Sequence, residues 1–154
     1  MEEKREIFEG EIWVQNDYIL YVGDGTDTEK IYGKIPESCI LWDREIDCKG
    51  NLLMPGFKNA HTHSGMTLLR SFADDLPLDE WLNHQIFPVE AQMTAEDIYE
   101  LSKLAILEYL TSGITAAFDM YLTPESIADA FDEMGMRCVQ VGAVNNFSQS
   151  PELV

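Results

Sequence analysis

Apolar positions change their spacing once along the chain, near residue 55. Before that point they come in short runs at strand spacing. Glu11-Ile12-Trp13-Val14-Gln15 is rich in β-branched and aromatic side chains, Asn16-Asp17 supplies a turn, and Tyr18-Ile19-Leu20-Tyr21-Val22 is the matching run, so a hairpin is predicted. Gly23-Asp24-Gly25-Thr26-Asp27 is a loop. Cys39-Ile40-Leu41-Trp42 and Glu45-Ile46-Asp47-Cys48 are two further predicted strands around an Asp43-Arg44 turn, and Lys49-Gly50-Asn51 is another turn. Residues 1–54 thus form a predicted antiparallel β module with a thin core that needs something else to pack against.

After Pro55-Gly56 the runs lengthen and helical spacing enters. Phe57 to Ala60 is a predicted buried strand, Gly65 to Phe72 a short helix, and Leu78 to Phe87 a helix with Asp79 and Glu80 near its positive end and Pro88 as its stop. The strongest helical signal runs from Thr94 to Ser112. Thr94 with Asp97 three residues on makes a capping-box start, Ile98, Leu101, Leu104 and Ala105 share a face, and Gly113 ends it. Ile114 to Asp119 is a β-rich run. A second helix starts with Thr123 as N-cap and Pro124 in its first turn, places Ile127, Ala130, Phe131 and Met134 on one face, and stops at Gly135. Arg137 to Val144 is a last strand. Strands joined by helices of this length predict a parallel sheet with right-handed crossovers. The fold class is therefore α/β, with domains 1–54 and 55–154.

Composition narrows the partners. The chain has 154 residues, enough for a real core, with 45% hydrophobic and 10% aromatic residues. A net charge of −18 repels phosphate backbones and anionic headgroups, which argues against nucleic acid and membrane partners. No apolar run reaches the ~20 residues that span a bilayer. Cys39, Cys48 and Cys138 are scattered and odd in number, which fits a reduced, cytoplasmic setting. The charged start, Met1 to Glu6, is not a signal peptide.

Candidate chemistry sits at the end of the Phe57 strand. His61 and His63 lie two residues apart, so a strand presents both imidazoles on one face, an arrangement suited to a metal ion. A pair of polar residues at a loop mouth is the plainer reading of His-x-His alone.

The stretch from Pro55 to Arg70 (Pro-Gly-Phe-Lys-Asn-Ala-His-Thr-His-Ser-Gly-Met-Thr-Leu-Leu-Arg) resembles the start of the catalytic barrel in the amidohydrolase superfamily. The continuation Ala73-Asp74-Asp75-Leu76-Pro77-Leu78-Asp79-Glu80-Trp81-Leu82, then Phe87-Pro88-Val89-Glu90, is similar to the branch holding S-adenosylhomocysteine/5′-methylthioadenosine deaminases and triazine or chlorinated-ring hydrolases. Ser112-Gly113-Ile114-Thr115 and Phe118-Asp119-Met120-Tyr121 fit the same branch. The resemblance implies the first three strands or so of a (β/α)8 barrel, preceded by a small β-sandwich module, with the site at the strands' C-terminal ends. It implies His61 and His63 as ligands of one divalent metal, zinc or iron. Metal-bound hydroxide then attacks a ring carbon bearing an amino group, and ammonia leaves. It also implies a small heterocyclic, aminopurine-like substrate, with Trp81 and Glu90 at its ribose. Some members that bind the homocysteine carboxylate carry an Arg near the end of the third strand; here that region is Val141-Gly142-Ala143, with no basic residue for a charged amino-acid tail, which leaves another aminopurine or an azine ring open.

Other readings stand beside these. Glu90 also suits a solvated helix end, Trp81 suits a core aromatic at helical spacing from Leu78 and Leu82, and Asp119, at a strand end where barrel sites gather, also suits a turn or cap. Asp74 and Asp75 read as solvated loop charges, His84 as a surface histidine, and the methionines as core filler. A (β/α)8 barrel takes about 250 residues, against roughly 100 after Pro55. Outside the pair only His84 remains, so the family's other histidines and its aspartate, and its acid/base residues, are expected beyond residue 154. The chain is accordingly expected to be the N-terminal part of an aminohydrolase, inactive without the rest of the barrel from a longer gene product or a separate chain; a homo-oligomer is the other expected partner. The alternatives are a truncated binding or assembly piece and, among enzymes, a dechlorinating triazine hydrolase.

Overall fold

A computed structural model describes residues 6–26, 33 and 41–142. Asp27 of the first loop, Cys39 and Ile40 of the third predicted strand, and Ala143 and Val144 of the last lie outside the described residues. The chain divides into two compact units, Met1–Leu52 and Leu53–Val154.

In the first unit, β1 (Glu11–Gln15) and β2 (Tyr18–Gly23) form the expected antiparallel hairpin. Asn16 turns the chain with φ 55°, a conformation its short polar side chain tolerates. Trp13 is 4% exposed, and the rings of Tyr21 and Trp42 each stand 5.1 Å from it. These aromatics are the nucleus of a small apolar cluster. The predicted strand Glu45–Cys48 is not a strand. Its polar groups bond locally instead: Asp47 Oδ1 accepts from the Lys49 N–H at 2.8 Å, and the Cys48 carbonyl from the Asn51 N–H at 2.9 Å. β propensity alone yields no ladder, and no strand among the described residues pairs with this segment.

The second unit is a parallel three-stranded sheet in the order β3 (Phe57–Thr62), β4 (Ile114–Tyr121), β5 (Arg137–Gly142). The connection from β4 to β5 is α2 (Pro124–Glu133), and the longer one from β3 to β4 ends in α1 (Ala95–Thr111). Thr94 and Asp97 exchange both bonds of a capping box, and Gly113 takes φ 78° just past the helix, where a side chain would be strained. The Gly113 carbonyl then accepts from the Phe57 N–H at 2.9 Å, tying β3 to β4. The buried stripe of α1 is Ile98, Ser102, Ala105 and Ile106, whereas Leu104, expected on that stripe, is exposed. At about 100° per residue Leu104 lies about 120° round the helix from Ile98, and Ser102 joins the stripe because its hydroxyl bonds the Ile98 carbonyl.

Three further expectations are corrected. The helix predicted over Gly65–Phe72 is a tighter 3-10 helix, Ser64–Leu69. Pro88 does not stop the next helix. Leu78–Glu80 runs into a wide π segment, Trp81–Ile86, and then into Phe87–Glu90, which contains Pro88. The Phe87 N–H reaches back five residues to Leu82, and this wider turn gives the proline ring room that a regular α turn lacks. Thr123 occupies the N-cap of α2, but its φ of 46° turns its hydroxyl away, and Oγ1 is buried without a hydrogen-bond partner among the described residues.

The core lies between the sheet and the two helices. Ala117 and Tyr121 of β4 meet Ile98 and Ile106 of α1 and Ile127, Ala130 and Phe131 of α2. Side chains one residue off, Phe118 and Met120, point to the other face and are 44% and 41% exposed. No helix among the described residues is long and apolar enough to cross a membrane.

Candidate metal and substrate site

His61 is the penultimate residue of β3, and His63 follows the strand as the N-cap of the 3-10 helix. The two imidazoles meet with Nε2 atoms 3.2 Å apart and ring planes 80° to each other. Local bonding holds them so. Asn59 Oδ1 accepts from the His61 N–H at 3.2 Å, where the ladder with β4 shifts register. His63 Nδ1 lies 2.5 Å from the Met120 carbonyl of β4. A carbonyl only accepts, so Nδ1 carries a proton, and in the neutral ring the lone pair is on Nε2.

That geometry fits a shared ion. Two nitrogens each about 2.0–2.1 Å from one tetrahedral ion stand about 3.3 Å apart. A bond from the second ring nitrogen to a carbonyl is also what ligating histidines characteristically make. The pair supplies two donors; no group of three or more His, Cys, Asp or Glu placed to hold an ion occurs among the described residues.

Behind the pair lies a buried polar cluster. Asp119 is completely buried on β4, an interior position rather than a turn or cap. Its carboxyl accepts from the Ser64 N–H at 3.1 Å and from the Ser64 hydroxyl. Burial pushes the Asp119 carboxyl above its ordinary range, with the Ser64 bonds and the His63 charge opposing the rise. Ser64 Oγ lies 3.0 Å from the Tyr109 hydroxyl of α1, which also bonds Thr62 Oγ1.

Glu90 stands at the end of the Phe87–Glu90 helical turn, half-buried. Burial raises its carboxyl above the usual range, while a bond from the Tyr121 hydroxyl and the nearby His63 charge pull it down. Tyr121, buried at the end of β4, has its phenol pushed well above the usual value by burial, with the Glu90 and Asp119 charges adding to the rise. Its ring centroid is 6.4 Å from that of His63, and a side chain on Gly65 would place a Cβ 2.5 Å from this ring. Glycine at 65 is what lets Tyr121 lie against the turn that follows the histidines.

The fold thus brings His61, His63 and Glu90 to one end of the sheet. Trp81 is half-buried in the π segment, and it makes no hydrogen bond or ring contact with those three among the described residues. Asp74, Asp75 and His84 are exposed, as expected. Tyr121, Tyr109 and Ser64 went unread in the sequence. Their only signal is position: Tyr121 ends the strand that pairs with the one ending at the histidines, and Ser64 adjoins His63.

The family profile described as the amidohydrolase family matches residues 52–152. A 5-methylthioadenosine/S-adenosylhomocysteine deaminase of Syntrophomonas wolfei is 46% identical over 127 residues, covering 82% of this chain and 29% of that protein. An adenosine deaminase from Xanthomonas campestris, solved with bound zinc, matches with a TM-score of 0.55 and 43% identity over 56% of this chain and 20% of its own. A triazine hydrolase from Arthrobacter aurescens shares the fold, with a TM-score of 0.67 at 20% identity over 85% of this chain and 30% of its own. The chain spans less than a third of the length of the curated relatives it matches.

Proposed function

The chain belongs to the amidohydrolase family, and on that premise we propose that it is the N-terminal part of a zinc-dependent aminohydrolase acting on an adenosine-like nucleoside. The observation that carries this reading is the convergence of His61 and His63 at 3.2 Å, with His63 Nδ1 committed to the Met120 carbonyl. His61 and His63 hold the ion through Nε2. When bound, such an ion supplies Lewis acidity and activates water near neutral pH. Zinc is favoured over iron because a 43% identical deaminase holds zinc.

This chain's own residues then have two tasks. The histidines orient the ion at the sheet end, in front of the buried Asp119 cluster. Glu90, half-buried near the Tyr121 hydroxyl and His63, accepts from substrate hydroxyls, and Trp81 walls the sugar. The proposal also makes β3, β4 and β5 the first strands of a (β/α)8 barrel and residues 1–54 part of a composite β-sandwich. The remaining ligands and the acid/base groups come from polypeptide outside these 154 residues, since the matched stretch makes up only 29% and 30% of two such relatives. A reducing, cytoplasmic setting completes it; Cys48 and Cys138 are free thiols.

The substrate class follows the relatives named for methylthioadenosine and S-adenosylhomocysteine. Because Val141-Gly142-Ala143 offers no cation for an amino-acid carboxylate, the neutral methylthio nucleoside is the preferred substrate. The test is ammonia release by the protein at its full encoded length from methylthioadenosine, S-adenosylhomocysteine and an aminotriazine. Release from the first, lost in His61→Ala, is expected. Release from none of the three rejects the deaminase reading, and release from the triazine alone moves the protein to the hydrolases of that ring.

A further inference from the structure

The residues on either side of His63 are tied to the same buried chain of hydroxyls. Thr62 Oγ1 bonds the Tyr109 hydroxyl, Tyr109 lies 3.0 Å from Ser64 Oγ, and Ser64 Oγ bonds Asp119 Oδ2. The direction of the protons follows from the end of the chain. An ionised carboxylate only accepts, so Ser64 donates its single hydroxyl proton to Asp119. The Ser64 oxygen then accepts from Tyr109, whose own oxygen accepts from Thr62. Every hydroxyl donates once and in one sense, so each bond polarises the next.

The partners of Asp119 are unusually restricted. Among the described residues its carboxyl bonds only the Ser64 N–H and hydroxyl and the Met120 N–H. Ser64 adjoins His63, and the Met120 carbonyl holds the His63 Nδ1 proton. A wholly buried carboxyl with no cation bonded to it costs stability, and an aliphatic side chain would fill the same space without that cost. What the carboxyl does, and an aliphatic group does not, is fix the backbone beside an imidazole.

We propose that Tyr109 and Asp119 are positioning residues for His63: through the Thr62 and Ser64 hydroxyls they hold the chain on both sides of it, so that its Nε2 stays aimed at the Nε2 of His61. This rests on the reading of His63 as a metal ligand. Neither residue hydrogen-bonds an imidazole, and α1 and β4 supply one each. The histidine motif on β3 is therefore aimed by side chains from two other elements.

The test uses the protein at its full encoded length. Tyr109→Phe keeps the ring and removes the hydroxyl; Asp119→Asn keeps the shape and removes the charge. Both are expected to weaken zinc binding by about 10- to 100-fold, the range for groups that support a ligand, in competition with a chromophoric chelator. They should also shift the visible bands of the cobalt-substituted protein. Ser102→Ala breaks another buried hydroxyl bond of α1, from Ser102 Oγ to the Ile98 carbonyl at 2.7 Å, and should leave zinc affinity unchanged. A readout without metal separates this claim from the one beneath it. In imidazole nitrogen NMR, His63 should be a single Nδ1-protonated tautomer, and a mixture in Tyr109→Phe and Asp119→Asn. Unchanged affinity and an unchanged tautomer in both variants would overturn the proposal. If His63→Ala leaves zinc binding intact, the metal reading fails instead, while the imidazole spectra still decide the positioning.

Discussion

The covered and bare faces of the β3–β4–β5 sheet are built from alternate residues of the same strands. Ala117, Asp119 and Tyr121 are buried beneath α1 and α2, whereas Phe118, Met120 and, on β5, Val139 are apolar and largely exposed, Val139 at 57%. A sheet meant to face water on one side alternates apolar with polar residues, while a parallel sheet covered on both sides reads as a nearly continuous apolar run. β4 reads the second way: Ile-Thr-Ala-Ala-Phe-Asp-Met-Tyr. Its one charged residue points into the covered face. The strand is thus composed for cover on both faces, and its one charge is bonded by Ser64 in the interior rather than hydrated.

The largest effect that tests this contrast comes from matched phenylalanines. Phe131→Ala, on the covered side, should cost about 3–5 kcal/mol in urea unfolding. Phe118→Ser, on the bare side, should change the stability of this chain by no more than about 0.5 kcal/mol. Equal costs would show that the bare face is already covered; a large cost for Phe118→Ser in a longer polypeptide alone would identify that polypeptide as the cover. Next, Gly65→Ala brings a methyl against the Tyr121 ring on the covered side, and should cost about 1–3 kcal/mol while displacing the hydroxyl from Met93 Sδ. Near-ultraviolet dichroism of Tyr121 would record the displacement. Thr94→Ala removes the capping box of α1, the cover itself, and should lower stability by about 1 kcal/mol in the same unfolding experiment.

The smallest effect is a slope. The folded chain holds the Glu90 proton to higher pH than the unfolded chain, whose carboxyl titrates near 4.5. The folded state therefore binds more protons in this window, and stability falls as pH rises from 4.5 toward the folded value. Glu90→Gln should flatten that fall in urea midpoints measured between about pH 4 and 7. An unchanged slope would place Glu90 in solvent, away from Tyr121.

Local rules were legible where neighbours in sequence are neighbours in space. The Thr94–Asp97 box, the Gly113 stop, the hairpin turn at Asn16 and the two-residue spacing of His61 and His63 are each decided within a few residues. The apolar stripe of α2 at Ile127, Ala130 and Phe131 follows from period alone. Misreadings came where a partner from elsewhere decides. Glu45–Cys48 has strand composition and pairs with no strand among the described residues. Leu104 has helical spacing but faces away from the sheet. Pro88 breaks an ordinary helix, yet sits inside one whose preceding turn has widened.

The sequence by itself determined the order of elements, the family and the histidine pair, because each is written in consecutive residues. Tertiary structure decided what aims that pair. Tyr109, Asp119 and the Met120 carbonyl stand 45 to 57 residues from their partners Ser64 and His63, and only the parallel register of β3 on β4 with α1 against them brings these groups within bonding distance. No local pattern encodes such contacts, since the free energy that makes them comes from burying the sheet against its helices.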